Sequence, residues 1–386
     1  MSQNKTINAP VILFVYKRPD HTLKIIEKIN QVNIKKVYII ADGWKSSNDE
    51  SAVEKTRNLI KDINSNVEKI FFNKNIGLRK NAEIGLDEVF KYEEKAIILE
   101  DDTLPDISFF EFCDTLLNKY KDTKEISMIS GSNFKSEITK NQKDDYFFSR
   151  YPCFWGWASW KDRWKHLFDN EMKKWHEYKS SKNFSDKFTN RREINYWKER
   201  FDFHKNNLNL GTWDYPFLLN HFYYEKKSIV PKKNLIKNIG YDKPTSQNPK
   251  KTSELKTYCI NFPLNHPNDY KNNSDYDKFC SIGLFSKSKL WLLDEPLSAV
   301  DELTREVLQE EIHEIWKKDK FTSILVTHNV AEAVYLSNRV IVMSPRPGRI
   351  THIVDIPFQE RTQSIRSTPE FSSLVNDISG KLRAWK

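Results

Sequence analysis

Glycine is scarce, with ten residues in 386, and nowhere do two of them frame the pattern G-x-x-x-x-G-K-[ST]. That absence excludes the loop whose backbone amides and lysine cradle nucleotide phosphates in ATP hydrolases of that class. Cysteine is scarce too: Cys113, Cys153, Cys259 and Cys280 are scattered, with no metal-type pairing. A disulfide framework and a thiolate zinc site are thereby excluded, and free thiols in a reducing cytoplasm are expected. No stretch approaches the roughly 18 apolar residues needed to span a bilayer. The opening MSQNKTINAP lacks the apolar core of a signal peptide, which again points to a cytoplasmic protein. Asparagine, plentiful at first, almost vanishes near the end: from Ser288 onward only Asn329, Asn338 and Asn376 remain.

What is present describes a soluble globular chain, 38% hydrophobic and 30% charged, long enough for two or more domains. The formal charge of +9 is uneven, with +10 in the first 287 residues and −1 from Ser288 onward. A basic front part suits phosphorylated ligands or an anionic membrane surface, although a solvated lysine-rich face gives the same count. Nucleic acid is not an expected partner.

Short apolar runs alternate with helical patterns over the first hundred residues. VILFVY, KKVYIIADGW, VEKIFF and KAIILE read as buried strands, separated by helices with one apolar face. This β-α-β-α-β-α-β order predicts a doubly wound parallel sheet with ligand at the carboxyl ends of its strands. The fourth strand runs directly into Glu100, Asp101 and Asp102. Three adjacent carboxylates at the end of a buried strand repel one another and lose hydration, so a cation or several donors should face them. The expectation is a divalent-metal site holding a phosphorylated ligand; the plainer alternative is an acidic loop capping the next helix, ISFFEFCDTLLNKY. Asp42, at the end of the second strand, is placed to accept from a base or ribose, or is an ordinary turn residue before Gly43. Asn75, Gly77, Arg79 and Asn81 lie between the third strand and its helix. Gly77 allows close backbone approach, amides face the helix start and Arg79 adds charge, which together suggest a diphosphate or sugar cradle, the alternative being an ordinary βα loop. Asp214, between Trp213 and Tyr215, is a candidate general base with a raised pKa, or a structural hydrogen-bonded acid. From about Lys140 the alternation stops. YFFSRYPCFWGWASWKDRW then places Trp155, Trp157, Trp160 and Trp164 close together, as core or as a pocket wall where a sugar could stack.

VILFVYKRPDHT, IIADG, NIGLRKN, LEDD and GWASW…TWDYPF, in that order, resemble the nucleotide-sugar glycosyltransferases of the GT-A fold. They are most like bacterial proteins related to N-acetylglucosaminyltransferase I. The resemblance covers about residues 8 to 285 and implies an α/β, Rossmann-like transferase domain over residues 1–285. By position it makes Asp102 the ligand of Mn²⁺ (or Mg²⁺) bridging a donor diphosphate. Asp101 and Glu100 would lie near ribose and sugar, Asp42 by the nucleobase, and Arg18, in the first motif, among the donor-binding residues. Asp214 would be the base that deprotonates an acceptor hydroxyl. The implied chemistry is inverting transfer from a nucleotide sugar, such as a UDP-sugar, to a saccharide or lipid-linked acceptor, with peripheral contact at the inner membrane surface.

After about residue 286 the texture changes. LWLLDEPLSAVD and ILVTHN, followed by SPRPGRI, resemble the back half of an ABC-transporter ATPase of the nitrate, sulfonate and taurine importer subfamily. The resemblance makes Asp294 a magnesium ligand, Glu295 the base activating water, Asp301 part of the loop after it and His328 the γ-phosphate contact. The phosphate loop, the glutamine loop and the LSGGQ signature are missing, so residues 286–386 read as a truncated, inactive ATPase fragment. The alternative reading, an importer ATP-binding subunit, rests on this tail alone.

Overall fold

A computed structural model describes residues 5–188, 190–208, 211–240, 255–285, 290–298, 300–319, 322–358 and 361–384. The chain divides into two compact units, Met1–Ser286 and Lys287–Lys386.

The first unit is built on one eight-stranded sheet. Strands β1 (Val11–Val15), β2 (Lys36–Ala41), β3 (Asn66–Phe71) and β4 (Lys95–Glu100) alternate with helices α1 (Pro19–Asn30), α2 (Ser47–Asn58) and α3 (Leu78–Tyr92). These four strands are all parallel, in the order β3-β2-β1-β4, so their carboxyl ends lie on one rim. Their apolar runs are continuous because both faces are covered. Val11, Leu13 and Val15 join one core cluster with Ile25, Ile26 and Ile29 of α1. Ile12 and Phe14 point the other way, into a cluster with Ala82, Leu86, Val89 and Phe90 of α3. Each such aliphatic side chain, fully buried, stabilises the fold by about 1.5–3 kcal/mol relative to exposure. The edge strand β3 is the exception, with Glu68 and Lys69 exposed.

Beyond β4 the sheet is mixed, which departs from the all-parallel expectation. After a short β5 (Thr103–Pro105) and helix α4 (Ser108–Lys119) come β6 (Ile126–Ser130), β7 (Tyr146–Ser149), β8 (Trp157–Trp160) and β9 (Lys227–Pro231). The order continues β4-β8-β6-β9-β7. Strand β8 lies antiparallel to both β4 and β6, while β6 and β9 are parallel. The tryptophan-rich segment supplies β8 and the wall behind it. Trp157, Trp160 and Trp164 are buried, and only Trp155 is half-buried. Their main role is packing: Trp157 stacks on Trp213 at 5.3 Å, and Trp164 on Phe168 at 4.3 Å. A second pair, β5 with β10 (Ile236–Asn238), lies antiparallel beside the acidic turn, Asn238 opposite Thr103.

The second unit has two small sheets. In one, β11 (Leu290–Asp294) and β12 (Thr322–Val326) are parallel; in the other, β13 (Arg339–Met343) and β14 (Ile350–Asp355) form a hairpin. Helices Glu302–Asp319, Val330–Leu336 and Pro369–Arg383 complete it. Its core cluster centres on Val334, Tyr335, Val340, Val342, Phe371 and Ile378. No helix among the described residues is long and apolar enough to cross a membrane.

Candidate functional site

The chain turns sharply after β4. Glu100 still pairs with Phe14 of β1, and Asp101 and Asp102 form the turn. Thr103 closes it: its hydroxyl donates to the Glu100 carbonyl at 3.0 Å and accepts from the Glu100 amide at 2.8 Å. The Asp102 carbonyl then accepts from Ile239 N at 2.8 Å, tying the turn to the end of β10. Gly240 follows against the Asp102 carboxylate, so close that a Cβ there would lie 2.4 Å from Asp102 Oδ2. Any side chain at Gly240 would displace that carboxylate.

The cation that the three acids require is present in the chain itself. Arg18, just before α1, donates from Nη1 to Asp102 Oδ2 at 2.9 Å and lies 3.5 Å from Asp101 Oδ1. It compensates only part of the repulsion. Burial first, then Asp102, Asp101 and Asp214, pushes Glu100 up to about 8; a hydrogen bond from Trp213 opposes the rise. Burial and Asp102 raise Asp101 to about 7 against the pull of Arg18. Near neutral pH the turn therefore carries less than three negative charges.

Asp214 comes to the same place from more than a hundred residues away, at the start of the helix Asp214–Tyr223. Its charge acts on Glu100, and its neighbour Trp213 bonds Glu100. Burial raises its pKa against hydrogen bonding from Thr212 and from the backbone of Asp214 and Tyr215, and its buried Oδ1 has no partner in full hydrogen-bond geometry among the described residues. An acceptor oxygen held in reserve is costly unless a substrate group uses it. Sequence reasoning found Asp214 but missed Trp213 as the link to Glu100 and Gly240 as the floor beneath Asp102; neither residue type announces such a contact.

The loop after β3 departs from the expected cradle. Asp42 is buried, and both its oxygens are taken by backbone: Oδ1 accepts from Gly43 N at 2.8 Å and Ile76 N at 2.9 Å, and Oδ2 from Gly77 N at 3.0 Å. Those amides are spent on Asp42 and not on a diphosphate, and Asp42 organises the loop where a nucleobase contact was expected. Asn75 Nδ2 donates to the Gly43 carbonyl at 2.9 Å. Gly77 is needed for its φ of +85° and not for space, since a Cβ would meet nothing within 4 Å. Arg79 is buried; its guanidinium donates to the side chain and carbonyl of Asn170 and to the His204 carbonyl. It faces inward and lowers the Asp214 pKa, opposing burial. Asn81 is buried, with its Oδ1 unpartnered among the described residues. So the structure brings together Arg18, Glu100, Asp101, Asp102 and Asp214, with Arg79 supporting Asp214; Asp42, Asn75 and Gly77 form a scaffold beside them.

No three His, Cys, Asp or Glu side chains among the described residues are grouped to hold a metal ion by themselves. Asp102 fits a divalent ion as one ligand of a set that substrate oxygens complete, the usual arrangement where phosphates share the ion with one or two carboxylates. In the second unit, Glu295 has a φ of 41° and pairs through Oε1 with His328 Nδ1 at 3.0 Å. Asp301 Oδ1 accepts from Thr304 N at 3.0 Å and so caps the following helix. Asp294 ends β11, exposed, opposite Val326.

No protein-family model matches the chain. Sequence relatives match its later part. A protein of Brucella abortus described as ATP-binding is 46% identical over 92 residues, covering 23% of this chain and 35% of that protein. The C-terminal region resembles the ATP-binding proteins of ABC importers. An aliphatic sulfonates import ATP-binding protein of Bacillus licheniformis is 30% identical over 169 residues, 42% of this chain and 65% of that protein. A taurine import ATP-binding protein of Rhizobium johnstonii is 37% identical over 107 residues, 26% of this chain and 41% of its own length. The chain thus spans about a third of the length of the first of these relatives. Among solved structures, apo UDP-glucose pyrophosphorylase aligns over 59% of this chain and 93% of its own, at 11% identity and a TM-score of 0.29. A likeness that weak carries no argument.

Proposed function

We propose that the first unit is a metal-dependent glycosyltransferase that moves a sugar from a nucleotide diphosphate, such as UDP, to a saccharide or lipid-linked acceptor. The observation that carries this reading is the convergence of an acidic turn, its arginine and a buried carboxylate with an unpartnered oxygen at the carboxyl end of the central strand. Asp102 would hold the divalent ion, Mn²⁺ or Mg²⁺, together with the substrate. Bound there, the ion supplies charge neutralisation on the leaving diphosphate. Arg18 adds a second positive group beside it. Glu100 and Asp101, with raised pKa values, offer carboxyl groups able to donate hydrogen bonds to ribose or sugar. Asp214 takes the proton of the acceptor hydroxyl through its open Oδ1, and its raised pKa brings it nearer to the working pH of a base. One base and no covalent intermediate give an inverted product.

The relatives of the tail favour a second reading, an importer ATP-binding subunit. Against it stand the missing phosphate loop and a Glu295 already engaged by His328. A thermal-shift screen of the whole chain separates the two. UDP-, GDP-, CMP- and dTDP-sugars and ATP are tested, each with and without Mn²⁺. A ligand that binds only the folded chain, at 100 times its dissociation constant, adds about 2.7 kcal/mol of stability. A Mn²⁺-dependent shift with one nucleotide sugar is expected; a shift with ATP alone would overturn the transferase reading.

A further inference from the structure

The first unit also holds a cavity of about 360 Å³, a size at the small end for ligand pockets. Lys227, in its wall, opens β9, which runs parallel to β6 and hence to β4. The cavity therefore sits on the rim of the sheet opposite Glu100, away from the acidic turn. Its wall carries Arg150, Lys187, Lys226 and Lys227 against two acids, Asp186 and Glu225.

These cations have donors to spare. The Arg150 guanidinium is fixed on two sides: Nε donates to Asp277 Oδ2 at 3.2 Å and Nη1 to the Lys187 carbonyl. Nη2 has no partner among the described residues. Lys187 Nζ donates to the Phe222 carbonyl and lies 3.4 Å from Glu225 Oε1. The Lys187 side chain is only 11% exposed, but that of Glu225 is 68% exposed, so water screens the pair. Burial lowers the Lys187 pKa although Glu225 opposes the fall, so its one carboxylate does not make good the lost hydration. Lys226 and Lys227 each give one N–H to a neutral carbonyl, that of Lys124 at 3.0 Å and that of Tyr270 at 2.6 Å. Among the described residues neither pairs with a carboxylate, and each ammonium has further donors left. His221, also in the wall, adds no charge. Its nitrogens are taken by Ser127 Oγ at 2.8 Å and the Arg150 carbonyl at 3.0 Å, and burial pushes its pKa down to about 3.

We propose that this cavity binds a phosphate monoester group. Such a group brings about −1.5 to −2 charges and three acceptor oxygens near neutral pH. A guanidinium already held in place, beside ammonium groups with unspent N–H, is the donor set that a phosphate uses fully. A carboxylate, with one charge and two oxygens, leaves part of that set idle. A phosphorylated sugar and a phospholipid headgroup carry the same group, and the two sources are separated below. The site lies on the other rim, so it stands whether or not the first unit is a transferase.

Calorimetric titration of the whole chain with glucose 6-phosphate, inorganic phosphate and acetate tests this, with EDTA present so that no ion bridges a ligand to the acidic turn. A second arm sediments the chain with phosphatidylcholine vesicles that contain phosphatidic acid. Glucose 6-phosphate should bind at least tenfold tighter than acetate; binding in the vesicle arm alone assigns the site to a lipid headgroup. In whichever arm binds, Lys226→Gln with Lys227→Gln should weaken binding at least tenfold and leave the melting temperature of the free chain unchanged. Arg150→Lys keeps the charge but loses the fixed fork, and should also weaken binding. Lys55→Gln with Lys61→Gln removes the same charge at and just after α2, by the opposite edge of the sheet, and should change binding less than twofold. No binding in either arm overturns the proposal, as does acetate bound as tightly as glucose 6-phosphate. Binding that the cavity substitutions leave intact, or that the control pair weakens equally, overturns it too.

Discussion

The two units bury their apolar sequence with very different success. Among the described residues, eight large apolar side chains in the second unit are more than half exposed, from Leu292 to Ile353, against two in the first, which is nearly three times as long. In the first unit every central strand that lacks alternation has a helix layer or an aromatic wall on each face. In the second, β13 has one face buried through Val340 and Val342, while the described side chains of β12 are exposed or half-buried on both faces. The comparison teaches that a motif and the fold around it are separable. LWLLDEP keeps the letters of a nucleotide-hydrolysing site, but the loop that would hold the phosphates is absent. LEDD has partners packed around it: Arg18 in front, Trp213 and Asp214 beside it, Gly240 beneath.

The comparison is sharpened most by Asp102→Asn. On the proposed reading, loss of the Asp102 negative charge should lower nucleotide-sugar turnover by about 10²–10³-fold, and Mn²⁺-dependent binding seen by calorimetry should vanish. Asp214→Asn should lower turnover by about 10²–10⁴-fold while leaving donor affinity unchanged, because a base acts after the donor is bound. Equal loss of affinity would move Asp214 out of the base role.

Arg18→Ala removes the counter-charge of two acids. Because its side chain is 46% exposed, solvent screening limits the expected loss of stability to about 1 kcal/mol, read from denaturant midpoints. The acids also set a pH dependence. Folding raises Glu100 to about 8 and Asp101 to about 7, so between the unfolded carboxyl range and those values the folded state binds more protons. Their contribution is therefore complete below about pH 4 and is lost as pH rises through 7 to 8. Without ligand, melting temperature should fall between pH 6 and pH 8.5, by less in Glu100→Gln, which carries no proton to lose. At the far end of the scale, Asp294→Asn, Glu295→Gln and His328→Ala should change nucleotide-sugar transfer not at all. A measurable loss in any of them would break the contrast between the units.

Much of the first unit could be read from the chain. Strand β1 is apolar over its whole length, and β2 and β4 are apolar apart from Lys36, Lys95 and Glu100 at their ends, so their type and parallel order follow from pattern. The mixed half of the sheet could not be read, because β7 and β8 are only four residues long and find their partners across the fold. Trp157 to Trp160 reads equally as core, wall or strand until β4 and β6 are beside it. The three acids at the end of β4 are adjacent in sequence and Asp214 lies between aromatics; that they come together is visible only in the fold. Asp42 and Arg79 each left two readings open for one physical reason. A carboxylate in a turn and an arginine on a helix have the same composition whether they face a ligand or satisfy their own backbone. Only the amides of Ile76 and Gly77, and the carbonyls of Asn170 and His204, decide between the two.

The most direct test of the central claim is release of nucleoside diphosphate from nucleotide sugars by the whole chain, with water as the slow acceptor. Release with one nucleotide sugar, dependent on Mn²⁺, absent in Asp102→Asn and unchanged in Glu295→Gln, is the predicted result. No release from any nucleotide sugar, together with phosphate release from ATP that Glu295→Gln abolishes, would contradict the account and make the second unit the active one.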